Sequence, residues 1–363
     1  MIFKLKESGL FLKLCAFKDA NASEIKALIE DGCFTDRVLG MLLSNRVAPI
    51  AYGTLIDLGL IDCLSREYRN TLRDAALIAK KRTNDFTKCI SEVSDALSSV
   101  NCRYAMLKGA YLAEIYPKGY RTSNDIDILV APDDVSKISA SLKNAGFSQG
   151  YIKNGNFVPA TRQQIIESKM TRGETVPFIK RMELPFTDYL EVDINFSLDY
   201  KNSNDTLLNQ MLQRSITVKT DTSEIQTLDK YDFLLHLCSH LYKEATTLPW
   251  IRMRRDMTLY KYVDIYYLLH SFSDKDAESL IKRAEETAVE LELAYCLKSI
   301  SAMFPFHCRK LFSYMEAHDG EALDYVVAPM EKKLYVYKEP DPLIRFFTQD
   351  RAGLLLEVSD HED

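Results

Sequence analysis

A short segment with the alternation of a half-buried β-strand, Asp125-Ile-Asp-Ile-Leu-Val130, interrupts a chain whose two ends have helical periodicity. The segment is rich in β-branched residues, and Pro132 follows it as a strand stop. Residues two apart on a strand point to the same face, so Asp125 and Asp127 project together while the isoleucines beside them point into a core. We therefore expect a small sheet that presents a pair of carboxylates.

Periodicity divides the sequence into three regions. Residues 1–100 and 226–363 repeat their apolar residues at helical spacing. Residues 101–225 alternate short apolar runs with helical segments, and only the polar stretch 151–177 within them shows no clear pattern. We predict an α+β fold: an N-terminal helical domain (1–100), a core with a small mixed β-sheet (101–225) and a C-terminal helical domain (226–363).

The charge balance restricts the partners. The chain has 46 Lys and Arg residues against 52 Asp and Glu residues, a net charge of −6. Non-specific nucleic-acid binding needs many basic residues, so nucleic acid is not an expected partner. No apolar stretch approaches the roughly 20 residues of a membrane span, and the start lacks the apolar region of a secretory signal. The eight cysteines form no Cys-x-x-Cys pair. We expect a cytoplasmic protein that does not contact a membrane.

The paired aspartates are suited to a metal. Two adjacent carboxylates repel each other unless a cation lies between them, and hard oxygen ligands suit Mg²⁺. A second acidic strand, Glu191-Val-Asp-Ile-Asn195, has the same alternation, so either Glu191 or Asp193 could complete a three-carboxylate site if the two strands are neighbours. Two Mg²⁺ ions about 4 Å apart would then support an in-line phosphoryl transfer.

The residues alone leave an alternative open. An edge strand with a wet acidic face, which blunts pairing with other chains, explains the Asp-x-Asp pattern equally well. The surroundings favour the metal interpretation. Lys108-Gly109 lies at a junction between strand and helix, where glycine lets the backbone approach a phosphate and a helix N-terminus favours anions. Arg121 precedes the aspartates and could hold a polyphosphate.

Three motifs of this region resemble a known family. They are Leu107-Lys-Gly-Ala110, Tyr116-Pro117 and Arg121-Thr-Ser-Asn-Asp-Ile-Asp-Ile-Leu-Val130. Together they resemble the core of the uncharacterised bacterial nucleotidyltransferases (the NTP_transf_5 family), which belong to the polymerase beta-like superfamily. Further segments that resemble the family are Asn45–Pro49, Leu190–Phe196, His240 and Arg255–Ile265. The resemblance spans most of the chain, and it implies a polymerase beta-like core between helical domains.

The resemblance also implies roles for individual residues. Asp125 and Asp127 would bind Mg²⁺, and Asp193 would be the third carboxylate and help to deprotonate the acceptor hydroxyl. Two positions depart from the pattern. The wider superfamily has Gly-Ser where this chain has Gly109-Ala110, so a hydroxyl that would contact the triphosphate is missing, and Lys108 is the candidate substitute.

At the second departure, Asn195 replaces the histidine that is usual in this strand of the closer family. The resemblance therefore assigns no role to Asn195. The three aspartates that it assigns to the metal are all present.

A basic patch near the C-terminal domain offers further ligands for phosphate. Arg252, Arg254 and Arg255 are followed by Lys261, and the set could clamp a triphosphate or an anionic acceptor. A solvated helix start explains the arginines as well, and Lys261 could simply pair with Asp264 at helical spacing. The resemblance places Arg255 and Lys261 in the nucleotide-binding set.

Two histidines and a glutamate share one helical face: His236, His240 and Glu244. A zinc site would need a His-Glu-x-x-His motif or a fourth ligand, and neither is evident. A packed helix with a polar stripe is the better account.

The leading hypothesis is a Mg²⁺-dependent nucleotidyltransferase, an enzyme that moves a nucleoside monophosphate from an NTP to a hydroxyl group of an unidentified acceptor, small molecule or protein, and releases pyrophosphate. Two alternatives stay open. One is a non-catalytic nucleotide-binding or regulatory protein that keeps the site. The other is a toxin–antitoxin partner that modifies a protein or a tRNA end.

Overall fold

The computed structural model describes residues 5–198, 205–220 and 222–358. By the density of its contacts the chain divides into two units. We call Ala76–Phe233 the sheet unit, and Met1–Ala75 together with Leu234–Asp363 the helical unit. This division into two units does not test the three predicted domains, so their boundaries near residues 100 and 225 stay a prediction.

Both units contain helices. In chain order they are α1 (Leu5–Lys13), α2 (Ala22–Glu30), α3 (Asp36–Ser44), α4 (Ala48–Asp57), α5 (Arg66–Leu97), α6 (Gly109–Ile115), α7 (Val135–Asn144), α8 (Arg162–Arg172), α9 (Asp205–Gln213), α10 (Lys230–Ala245), α11 (Leu248–Arg252), α12 (Leu259–Leu269), α13 (Asp274–Thr287), α14 (Glu290–Met303), α15 (Arg309–Ala317) and α16 (Pro342–Phe347).

Within the described residues the strands form three separate sheets. In chain order they are β1 (Tyr104–Met106), β2 (Asp125–Val130), β3 (Ser148–Lys153), β4 (Asn156–Pro159), β5 (Phe178–Leu184), β6 (Thr187–Asn195), β7 (Ile216–Lys219), β8 (Glu224–Thr227), β9 (Tyr325–Ala328), β10 (Lys333–Tyr337) and β11 (Leu355–Glu357). The largest sheet has six strands in the order β1-β2-β6-β5-β3-β4. Its β2–β6 pair is parallel and its other pairs are antiparallel, so the predicted mixed sheet and the α+β class are confirmed.

The core of the sheet unit follows from the alternation seen in the sequence. Ile126 and Ile128 of β2 are fully buried and belong to one apolar cluster, which also contains residues of α5 and α7. The contribution of α5 is Phe86, Cys89, Ile90, Val93 and Leu97. Their spacing of three and four residues puts them on one helical face, so this stripe packs against the sheet and leaves the acidic side chains of β2 outside the core.

The two ends of the chain are mainly helical, as the sequence predicts, but the helical unit also contains a sheet. Its strands β9, β10 and β11 form a three-stranded antiparallel sheet that the sequence did not indicate. Val326, Ala328 and Tyr337 of this sheet form a small apolar cluster with two residues of α11. In the part of the chain that the structure describes, no helix combines the length and apolar character needed to cross a bilayer.

Candidate active site

Four carboxylates meet where β2 and β6 run side by side. The strands are parallel, and their register pairs Asp125 with Glu191 and Asp127 with Asp193. Because residues two apart share a face, all four side chains project from the same face of the sheet. The neighbouring strands that the metal hypothesis requires are therefore present.

The cluster is electrostatically unbalanced. Burial raises the pKa of Asp193 to about 8, and the neighbouring Asp127, Glu191 and Asp125 add to the rise. Burial also raises the pKa of Glu191, with further contributions from Asp125 and Asp127. Like charges at close range favour the neutral form of each carboxyl group, so this face of the sheet would gain from a bound cation.

Asp127 has two donors on one oxygen. The ammonium of Lys108 lies 3.2 Å from Asp127 Oδ1, and Asn195 Nδ2 lies 3.3 Å from the same atom. Leu107 separates Lys108 from the end of β1, and its backbone N–H donates to the carbonyl of Asp127 at 2.9 Å. Asn195, to which the resemblance assigned no role, thus helps to fix the orientation of the central carboxylate.

Ser123 is a site residue that sequence reasoning missed. Its Oγ donates to Asp125 Oδ1 at 3.0 Å. It also lies against Gly109, where an added Cβ would come within 2.3 Å of Ser123 Oγ and 2.4 Å of Ser123 Cβ. Gly109 therefore leaves room for the hydroxyl that holds Asp125. A contact between Gly109 and a phosphate stays a prediction.

Two other residues of the motif have local roles. Ala110, at the position of the departure from the superfamily, is fully buried in the apolar core of the sheet unit. Arg121 is half-buried; its guanidinium donates to the carbonyl of Thr122, and its own carbonyl accepts from Thr83 Oγ1 at 3.3 Å. The structure thus places Arg121 in the loop that leads into the aspartates, and its contact with a polyphosphate stays a prediction.

The remaining predicted ligands, Arg255 and Lys261, belong to the helical unit, where they are joined to each other. The Lys261 ammonium donates to the carbonyl of Arg255 at 3.0 Å and forms an ion pair with Glu244. Glu244 also lies 3.6 Å from His240 Nε2. Arg255 itself is exposed. The polar stripe of α10 thus serves to anchor Lys261, and the nucleotide-binding role of both basic residues stays a prediction.

The carboxylates suit a Mg²⁺ ion whose other ligands are waters and substrate phosphates. Among the residues that the structure describes, no three His, Cys, Asp or Glu side chains are placed so that they could hold an ion by themselves. Mg²⁺ is usually held by one or two carboxylates together with waters and substrate phosphates, so a closed protein cage is not required. Asp125 and Asp127, with Asp193 beside them, offer hard oxygen donors on a rigid strand pair.

Comparison with known proteins gives two similarities. The model of a family described as uncharacterised nucleotidyltransferase matches residues 35–305. The chain is also similar to a solved structure, that of an antigenic nucleotidyltransferase-like protein from Paracoccidioides brasiliensis. The two are 13% identical over 56% of this chain and 91% of the other, with a TM-score of 0.33. No curated protein matches the chain.

Proposed function

Since the chain belongs to the family of uncharacterised nucleotidyltransferases, we propose that it is a Mg²⁺-dependent enzyme that transfers a nucleoside monophosphate from an NTP to a hydroxyl group. The acceptor would be a small molecule or a protein, and the reaction would take place in the cytoplasm. One observation carries the proposal: the parallel register of β2 and β6 brings Asp125, Asp127, Glu191 and Asp193 to one face of the sheet.

The proposed step is an in-line displacement at the α-phosphorus. The bond between the acceptor oxygen and the α-phosphorus forms, and the bond from that phosphorus to the pyrophosphate oxygen breaks. The proton of the hydroxyl passes to the carboxylate of Asp193, and pyrophosphate leaves with the electron pair of the broken bond. Bound Mg²⁺ would supply charge stabilisation on the triphosphate.

The chain's own residues would bind and orient the reactants. Asp125 and Asp127 are the proposed metal ligands, oriented by Ser123 and Asn195. Positioning of the reacting atoms is the main contribution that a protein makes to phosphoryl transfer, so fixed carboxylates are the feature that such a site needs.

Basic residues would neutralise the phosphates. Lys108 and Arg121 are the proposed ligands in the sheet unit, and Arg255 and Lys261 are the proposed ligands in the helical unit. Arginine presents a planar fork that suits phosphate oxygens, whereas lysine acts as a point charge. Arg255→Lys keeps the positive charge and removes the two-pronged contact, so a loss of nucleotide affinity in this variant would show that the contact, and not the charge alone, binds the phosphate.

The test uses labelled nucleotides. The protein is incubated with each NTP labelled at the α-phosphate, with Mg²⁺ and with pools of metabolites or proteins as acceptors. The proposal predicts labelled product with the wild type and a loss of at least about a thousandfold with Asp125→Ala or Asp127→Ala, because such variants lose the positioned charge. The control is Asp133→Asn, which changes an exposed carboxylate beyond the far end of β2. Equal labelling by the Asp125→Ala/Asp127→Ala double variant would overturn the proposal.

A second candidate, a nucleotide-binding protein without turnover, is favoured by one observation. Position 110 is an alanine, so it offers no hydroxyl to a triphosphate, and its side chain is buried in the core. Calorimetry separates the two functions. Tight binding of Mg²⁺ and NTP, with no labelled product from any acceptor pool, would support the binding protein.

A further inference from the structure

Lys108 has a backbone conformation that is unfavourable for a residue with a side chain. It lies between β1 and α6 with φ 44° and ψ −115°. Non-glycine residues avoid this region, and those that adopt it are concentrated at functional sites, where the surrounding structure holds them. Gly109 follows directly but has no positive φ, so the glycine of this motif does not relieve the strain. The chain keeps a lysine where a glycine would fit the backbone better.

The strained backbone brings the ammonium to one particular oxygen. Lys108 Nζ lies 3.2 Å from Asp127 Oδ1, with the lysine side chain 24% exposed and that of the aspartate 13% exposed. The backbone on either side is fixed: Leu107 N–H donates to Asp127 O at 2.9 Å, and Lys108 O accepts from Leu112 N–H at 3.0 Å. The ammonium thus occupies the carboxylate on which the proposed metal site depends.

We infer that Lys108 is a resident counter-ion of this site, which competes with the divalent cation for Asp127 and turns to the phosphates when the cation arrives with its nucleotide. The inference rests on the proposed function. An ammonium and a divalent cation cannot both neutralise the same carboxylate oxygen at contact distance, because they repel each other. The long, flexible stem of a lysine lets the same group serve both positions.

Two opposite effects of one substitution test the inference. Lys108→Met keeps a long side chain and removes the charge. We expect it to bind Mn²⁺ alone about tenfold more tightly than the wild type. A neighbouring charge shifts the proton affinity of a carboxylate by a factor of about ten or more, and we expect an effect of similar size on its affinity for Mn²⁺. We expect it to bind Mg²⁺ with a non-hydrolysable NTP about tenfold more weakly, because the phosphates lose a positive partner. Lys108→Arg should behave like the wild type in both titrations.

The measurement is isothermal calorimetry of the full chain. The matched control is Lys137→Met, which removes the exposed ammonium that pairs with Asp134 at 2.6 Å and should leave both affinities unchanged. A merely structural role of Lys108 would move the melting temperature without moving the two affinities in opposite directions. If Lys108→Met does not fold, Lys108→Gly removes the same charge in a residue that suits the backbone and takes its place.

The outcomes separate this inference from the proposed function. A Lys108→Met protein that binds Mn²⁺ no more tightly than the wild type would overturn the inference, as would the absence of Mn²⁺ binding in both proteins. Opposite shifts of the two affinities would support it even if the wild type transferred no label. In that case the proposed transfer would fail while the role of Lys108 would stand.

Discussion

The substitution Gly109→Ala tests the geometry of the site most sharply. The new Cβ would lie 2.3 Å from Ser123 Oγ and 2.4 Å from Ser123 Cβ, distances at which one of the two segments must shift. Alanine is otherwise favoured over glycine in a helix by about 0.5–1 kcal/mol, so without the clash the variant should be slightly more stable. Forced overpacking costs about 1–3 kcal/mol. We expect a net loss of about 1–2 kcal/mol in the stability of the sheet unit.

A second substitution identifies the cause of that loss. Ser123→Gly removes both clashing atoms, whereas Ser123→Ala keeps the Cβ. Gly109→Ala should therefore cost about 1–2 kcal/mol less in the Ser123→Gly background than in the wild type, a coupling in the range measured for residues in contact. In the Ser123→Ala background most of the cost should remain. Both Ser123 variants lose the hydrogen bond to Asp125, so comparison within each background cancels that effect.

The assay must report on the sheet unit alone. Hydrogen exchange of peptides from β1 and β2 gives its opening free energy. The fluorescence of Trp250, the one tryptophan of the chain, follows the helical unit during urea unfolding and serves as the reference. A Gly109→Ala protein as stable as the wild type would refute the reasoning. A loss that is equal in all three Ser123 backgrounds would refute it as well.

Two further predictions concern the helical unit. Arg351 donates two hydrogen bonds of 2.6 Å to the buried carboxylate of Asp256. Arg351→Met should therefore lower the free energy of unfolding by about 3–5 kcal/mol, and adding Asp256→Asn to that variant should restore part of it. A loss below about 1 kcal/mol in urea unfolding followed by Trp250 fluorescence would contradict this. Burial lowers the pKa of His270 from 6.5 despite the nearby Asp19, so the unfolded chain binds its proton more tightly. The free energy of unfolding should therefore show no loss from His270 above pH 6.5 and should fall as the pH drops below that value. His270→Gln should make this fall shallower. A profile of melting temperature against pH that is the same in the variant and the wild type would contradict the prediction.

The sequence alone predicted the strands whose hydrophobic pattern matches the burial of their side chains. Asp125–Ile128 alternates acidic and apolar residues, Leu129 and Val130 continue as a buried apolar pair, and the structure has a strand over Asp125–Val130. The acidic strand around Asp193 was recognised for the same reason, since period two puts Glu191 and Asp193 on one face, where they are half-buried, and buries Val192 and Ile194 on the other. The parallel register that joins the two strands was only a condition of the hypothesis, because pairing between distant segments leaves no local mark.

The segment 151–177 shows a different limit. It contains the second half of β3, the strand β4 that forms a hairpin with β3, and the helix α8. Asn154 and Gly155 form the two-residue loop with φ 52° and 76°, and Asn-Gly is a strong hairpin signal that could have been used. The role of Ser123 had no such signal, since its contact with Gly109 exists only in the folded chain. The sheet of β9, β10 and β11 was missed because its short strands carry little periodicity.

The central claim is that this chain transfers the nucleotide portion of an NTP by means of the carboxylates on β2 and β6. The most direct measurement compares ATP labelled at the α-phosphate with ATP labelled at the γ-phosphate, each with Mg²⁺ and the same acceptor pool, and repeats it with the other three NTPs. The account predicts that the α-label enters the acceptor, that the γ-label leaves in pyrophosphate, and that Asp127→Asn abolishes both. Transfer of the γ-label to the acceptor, or undiminished α-labelling by Asp127→Asn, would contradict it.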